Sequence, residues 1–167
     1  MSAPNDPLNH FDANGAVHMV KVDDKAETPR SALAVARVRM APATLTRIRD
    51  GEVGKGDVLA VARVGGIGGA KQTASLIPLC HPVRITGVEI RFELDDELPG
   101  VRVFAEVWAN DRTGPEMEAM NAASTTALTI YDMCKAMDRA MEVGPVFLLR
   151  KSGGKSGHWT RDGGDAL

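Results

Sequence analysis

This 167-residue sequence predicts an α+β fold built on an antiparallel sheet, and three observations lead to it. Segments 83–93 and 101–109 alternate apolar and polar residues on either side of an acidic loop with Pro99 and Gly100, the pattern of a β-hairpin. Apolar residues then recur at helical spacing to about residue 140. Helical patterns also lie between a first strand and the hairpin, and a last apolar run, 145–149, follows the long helix.

Taken in order, residues 1–28 carry frequent Asp, Asn, Gly and Pro with no period and read as an irregular N-terminal segment. Residues 31–40 alternate loosely and end in a strand at Val38, Arg39 and Met40. A short helix at 42–49 starts on Pro42, where a missing N–H costs nothing. Segment 51–56 is a turn, and 57–75 a helix of weak propensity. Gly65, Gly66, Gly68 and Gly69 each cost about 1 kcal/mol against Ala in a helix interior. So many glycines imply close packing against another backbone or a partly broken helix. In 83–93 the apolar parity switches at Thr86 and Gly87, which predicts a β-bulge there. From Arg150 onward the Lys/Gly/Ser tail reads as a loop. The order strand, helices, strand, strand, helix, strand is the βαββαβ arrangement of ferredoxin-like domains, with an extra helix in the first crossover. One such domain spans 29–150, followed by a flexible Lys/Gly-rich loop over 151–167.

Composition narrows the function. Aromatics are 4% of residues, too few for a stacking platform for single-stranded nucleic acid. A net charge of -2 gives no overall pull toward nucleic acid or an anionic membrane, so anion binding needs a local basic cluster. Cys80 and Cys134 form no C-x-x-C or metal-finger spacing, and Cys134 falls on an apolar helix face, which suits a core residue. No stretch resembles a signal peptide or a long apolar span, so a cytoplasmic protein with reduced thiols is expected. No His, Cys and Asp set has metal-ligand spacing; His10 and His18 are too far apart to read as a chelate.

The long helix constrains any site. Met120, Ala123, Ala127, Ile130, Cys134, Met137 and Met141 fall within about a 100° arc, the expected core stripe. Glu118, Asn121, Thr125, Thr129, Asp132, Lys135 and Arg139 fall opposite. Asp132 and Lys135 form a proton-transfer pair, a substrate clamp or an ordinary (i, i+3) surface ion pair worth a few tenths of a kcal/mol. The small polar residues Asn121, Thr125 and Thr129 imply that something packs over that face, such as a second subunit. Fourteen residues separate Glu118 from Asp132, about 21 Å along a helix. Both cannot easily touch one small substrate from one copy of the helix.

Two further groups stand out. His81 lies between Cys80 and Pro82 just before a strand, its backbone biased to the extended region. It reads as an acid, base or hydrogen-bond donor, or as a structural turn histidine. A Cys80–His81 nucleophilic pair is weak, because neighbours on an extended chain point apart. The run from Lys151 through Gly153, Gly154, Lys155 and Ser156 can cradle an anion on exposed N–H groups, or be a mobile basic tail. It is not a Walker A motif. Lys55, Lys71 and Arg30 are further cations near turns or helix ends.

Side by side, these motifs resemble the molybdenum-cofactor biosynthesis protein C family, the cyclic pyranopterin monophosphate synthases. The matching stretches are Lys25 to Thr28 with Arg30, Lys55 to Val58, Leu76 to Pro82, Glu116 to Ala119, Leu128 to Ala136, and Lys151 to Gly157. The resemblance implies a ferredoxin-like lyase that converts 3′,8-cyclo-7,8-dihydroguanosine 5′-triphosphate to cyclic pyranopterin monophosphate with release of pyrophosphate. It implies no redox cofactor, leaves open a divalent ion accompanying the triphosphate, and implies a hexamer built as a trimer of dimers with active sites between subunits. By motif, Asp132, Lys135 and Lys55 would be catalytic. Leu79, Cys80, His81, Glu116, Met117, Glu118, Lys71, Lys151 and Arg30 would bind substrate. Two rivals remain at this stage: a noncatalytic guanine-nucleotide-binding module, and a structural oligomer subunit.

Overall fold

A computed structural model describes residues 10–11 and 14–163. The elements are β1 (Thr28–Arg39), α1 (Pro42–Asp50), α2 (Val58–Leu76), β2 (Ile85–Asp95), β3 (Gly100–Asp111), α3 (Glu116–Cys134), β4 (Glu142–Ser152) and β5 (Trp159–Thr160). The strands form one antiparallel sheet in the order β2-β3-β1-β4-β5. The first four reproduce the ferredoxin-like arrangement. α3 packs across β1, β3 and β4, while α2 packs on α3 and β2.

β1 is longer than its sequence pattern suggests. It is a central strand, paired with β3 on one side and β4 on the other. Residues Ala32, Leu33, Ala34, Val35 and Ala36 are buried on both faces, so no clean alternation marks the strand. Ala32, Ala34 and Ala36 join the core under the helices. Leu33 and Val35 join Phe147, Leu149 and Phe104 in a second cluster. In β2 the register shifts between Ile85 and Gly87, where the parity switch placed a bulge. β4 also exceeds the expected 145–149. Lys151 and Ser152 are its last residues, and β5 lies where a loop was expected.

The glycines of α2 do not break it. Asp57 caps the helix by accepting from the Ala60 N–H at 3.0 Å, and the helix runs unbroken to Leu76. Gly65, Gly66 and Gly69 face Thr129, Thr126 and Thr125 of α3. A Cβ at Gly66 would stand 2.0 Å from Thr126 Oγ1 and 3.2 Å from the Ala122 carbonyl oxygen. Only glycine allows the two backbones so close. Asn121 Nδ2 donates to the Gly69 carbonyl at 2.8 Å and to Thr73 Oγ1 at 3.2 Å. The small polar stripe on α3 is therefore covered, but by α2 of the same chain rather than by a second subunit.

α3 departs from its predicted stripe in two ways. Glu118, assigned to the polar side, is 2% exposed. The helix also ends at Cys134, with Lys135 as its C-cap, so Met137, Arg139 and Met141 lie beyond it. The Asp138 carboxylate accepts from the Ala41 N–H at 2.8 Å and the Ala140 N–H at 3.1 Å. That anchors the chain at the positive N-terminal end of α1 and turns it away from the helical path.

Candidate active site

Two adjoining clefts open at the N-terminal end of α3. The first, about 650 Å³, is lined by Lys25, Arg30, Arg112, Lys151 and Lys155, with Asp24 at its edge and the backbone of Gly154. The fold places these cations from four directions. Arg30 projects from β1 and donates from Nε to the Asp111 carbonyl at 2.9 Å. Asp111 ends β3, and its carboxylate accepts the Arg112 and Arg84 N–H groups, each at 2.7 Å. Lys151, near the end of β4, donates to Glu116 Oε1 at 3.0 Å and to Ser156 Oγ at 2.9 Å. Lys155 rides the loop between β4 and β5. Five cations around one cleft suit a ligand with several negative charges.

The loop is moulded onto Arg30. Gly153 and Gly154 have φ of +96° and +69°, left-handed values open to glycine. A Cβ on Gly154 would stand 2.1 Å from Arg30 Nη1 and 2.7 Å from its Cζ. Gly114 plays a similar part for Glu116, since its Cβ would fall 2.1 Å from Glu116 Oε2.

The second cleft, about 440 Å³, shares Lys25 and Thr113 with the first, and its other walls include His10, Leu79, Cys80, His81, Glu116 and Met117. Behind it lies Glu118. Its Oε1 accepts the Cys80 thiol at 3.8 Å, while its Oε2 is buried with no partner among the described residues. Burial raises the Glu118 pKa above its ordinary value, which favours the neutral acid. Burial, and then the Glu118 charge, pushes the Cys80 thiol up to about 11. Cys80 is thus a protonated hydrogen-bond donor rather than a nucleophile.

Asp132, Lys135 and Lys55 form a separate cluster at the other end of α3. Lys135 Nζ donates to Asp132 Oδ1 at 2.5 Å. Lys55 Nζ donates to the Asp132 carbonyl at 2.8 Å and lies 3.5 Å from Oδ2. The hydrogen bond and charge of Lys135, then the charge of Lys55, hold Asp132 below the usual carboxylate range. Asp132 raises Lys135 in return. All three side chains are about half exposed.

The candidates therefore fall into two groups. Arg30, Leu79, Cys80, His81, Glu116, Met117 and Lys151 come together around the paired clefts, with Glu118 beneath them. Lys55, Asp132 and Lys135 stand about 21 Å away along α3. Lys71 is exposed on α2 and lines neither cleft. Sequence reasoning missed Arg112 and His10 as cleft residues and noted Lys25 only within a motif. Arg112 had a usable signal, a cation immediately before the Thr113–Gly114–Pro115 entry to α3. His10 had none, because a chain return places it: Phe11 bridges Val17. Among the described residues no group of His, Cys, Asp and Glu has the geometry to hold a metal ion, and no helix is long and apolar enough to cross a membrane.

Residues 19–154 match the model of the MoaC family. The chain is 53% identical over 157 residues to the cyclic pyranopterin monophosphate synthase of Heliobacterium modesticaldum, covering 94% of this chain and 99% of that protein.

Proposed function

The chain belongs to the MoaC family, and on that premise we propose that it is a cyclic pyranopterin monophosphate synthase, a lyase of molybdenum cofactor biosynthesis. Its substrate is a cyclised guanosine triphosphate, 3′,8-cyclo-7,8-dihydroguanosine 5′-triphosphate, and pyrophosphate is released. The observation that carries this reading is that the two clefts adjoin, with Lys25 and Thr113 lining both. A cationic cleft stands beside a pocket of thiol, imidazole and carboxyl groups. That pairing suits one ligand with a polyphosphate at one end and a purine-derived ring at the other.

Each end has its chemistry. Lys25, Arg30, Arg112, Lys151 and Lys155 stabilise the charge that grows on the leaving pyrophosphate as a sugar hydroxyl attacks the α-phosphorus. In the second pocket His81, Glu116 and the Cys80 thiol offer hydrogen bonds to the ring, with Glu118 buried behind them. Rearranging the ring needs proton transfer, and the family motif assigns it to Asp132 with Lys135 and Lys55, although within one chain their pairing moves Asp132 down and Lys135 up.

Their distance from the clefts has a consequence. One subunit supplies the clefts and a second copy supplies the Asp132 cluster, so the working protein is a homo-oligomer; that it is a hexamer arranged as a trimer of dimers is what the family resemblance implies. Two exposed apolar groups suit contact between copies. Leu128, one turn before Asp132 on the same side of α3, is 58% exposed, and Val64 on α2 is 70% exposed.

Turnover of the cyclised triphosphate, followed by pyrophosphate release, tests the function. The wild type is expected to turn over, and Asp132→Asn to lose about 100-fold or more in kcat/KM, as expected for a general acid or base. Guanine-nucleotide binding without pyrophosphate release would instead mark a noncatalytic module.

A further inference from the structure

The tail beyond the anion-binding loop is fastened to the sheet, and one residue does most of the fastening. β5 pairs with β4 through only two residue pairs, Arg150 with Thr160 and Lys151 with Trp159. So short an edge strand is marginal by its backbone bonds alone. Arg161 adds three contacts to the same strand. Its N–H donates to the Leu149 carbonyl at 2.8 Å, its Nε donates to the Leu148 carbonyl at 3.1 Å, and its guanidinium lies 4.9 Å from the centroid of the Phe147 ring. Phe147 is 8% exposed and faces Val35 of β1, so the ring is a fixed platform. A cation held over such a ring contributes beyond its hydrogen bonds.

What this holds in place is residues 153–158. Their N-terminal end leaves β4 after Lys151 and Ser152, and their C-terminal end enters β5. Pinning both ends keeps Lys155 and Ser156 in the basic cleft and keeps Ser156 Oγ on Lys151 Nζ. We propose that Arg161 is a positioning residue for the polyphosphate end of the site: clamped on Phe147 and the β4 carbonyls, it holds the loop so that Lys151 and Lys155 face the ligand. Arg161 lines neither cleft, so it acts through the loop. The inference rests on the reading that the first cleft takes the triphosphate.

The test uses full-length Arg161→Ala, Arg161→Lys and Phe147→Leu proteins, with inorganic triphosphate as a calorimetric probe and turnover of the cyclised substrate alongside. Arg161→Ala is expected to weaken triphosphate binding and raise KM about fivefold, the equivalent of losing one cation–π contact, with kcat nearly unchanged. Amide exchange over 153–158 should speed up while the thermal midpoint barely moves, because the change sits at a sheet edge. Arg161→Lys keeps the charge but not the planar fork and should recover only part of the affinity. Phe147→Leu should weaken binding, and adding Arg161→Ala to it should cost little more. Faster exchange with unchanged affinity and KM would overturn the positioning role. A wild type that fails to bind inorganic triphosphate would overturn the cleft reading, and the proposal with it.

Discussion

Gly154→Ala separates the anion cleft from the rest of the fold. The perturbation is one methyl group. At φ +69° an alanine costs about 1–2 kcal/mol in backbone conformation. Its Cβ would also sit 2.1 Å from Arg30 Nη1, 2.7 Å from Cζ and 2.9 Å from Nη2, so the guanidinium must leave its place. That threatens the 2.9 Å bond from Arg30 Nε to the Asp111 carbonyl, a charge-assisted bond of a kind worth about 1.5–3 kcal/mol. The two costs appear in different assays. Backbone strain lowers the thermal midpoint by about 2–4 °C per kcal/mol in a chain of this length. Loss of one guanidinium from a cleft of five cations raises KM for the triphosphate by about tenfold, or 1.4 kcal/mol. Steady-state kinetics on Gly154→Ala, Arg30→Ala and the double variant isolate the mechanism. If the methyl acts by displacing Arg30, the double variant has the KM of Arg30→Ala alone. An equal further rise in KM in the Arg30→Ala background would refute that reasoning.

Other consequences follow from the two unusual carboxylates. Lys135→Ala removes the largest influence holding Asp132 low, so the Asp132 pKa rises toward its ordinary 3.8 and the acid limb of kcat/KM moves to higher pH. A limb that stays put or moves down would detach Asp132 from that limb. Glu118 has a folded-state pKa above its ordinary 4.5. Its contribution to stability is therefore complete below that value and declines as pH rises toward the folded one. Glu118→Gln should be more stable than the wild type at pH 8 in urea melts, with the gap closing as the pH falls toward 4.5. A gap that widens on acidification would mean that Glu118 is stabilised as the carboxylate.

Much of the fold was legible because local rules were strong where they mattered. The hairpin of β2 and β3, the bulge at Gly87 and the start of α1 at Pro42 each rested on one short-range signal. What escaped was set by tertiary contact. β1 is buried on both faces, so its sequence shows little alternation. α3 is buried against the sheet and against α2, which hid Glu118 among the polar residues of a helix read as one-sided. The end of α3 depends on Asp138 reaching α1, nearly a hundred residues earlier in the chain. For the site, motifs located most side chains, and helix geometry alone required the Asp132 cluster to stand apart from Glu118. His10 became visible only once the returning N-terminal segment formed a wall, whereas Arg112 carried a sequence signal that went unread and Lys25 was noted only within a motif.

The most direct measurement is subunit complementation. Lys151→Ala disables the basic cleft and leaves the Asp132 cluster intact; Asp132→Asn does the reverse. Alone, Lys151→Ala is expected to keep about a tenth of the wild-type kcat/KM and Asp132→Asn about a hundredth or less, so activity is compared at substrate well below KM. Co-expressed with different tags and purified through both, randomly mixed oligomers contain sites with an intact cleft from one subunit and an intact Asp132 from another. About a quarter of wild-type activity per site is expected, since each half is intact with even odds. Activity no higher than the average of the two variants would contradict a site shared between copies.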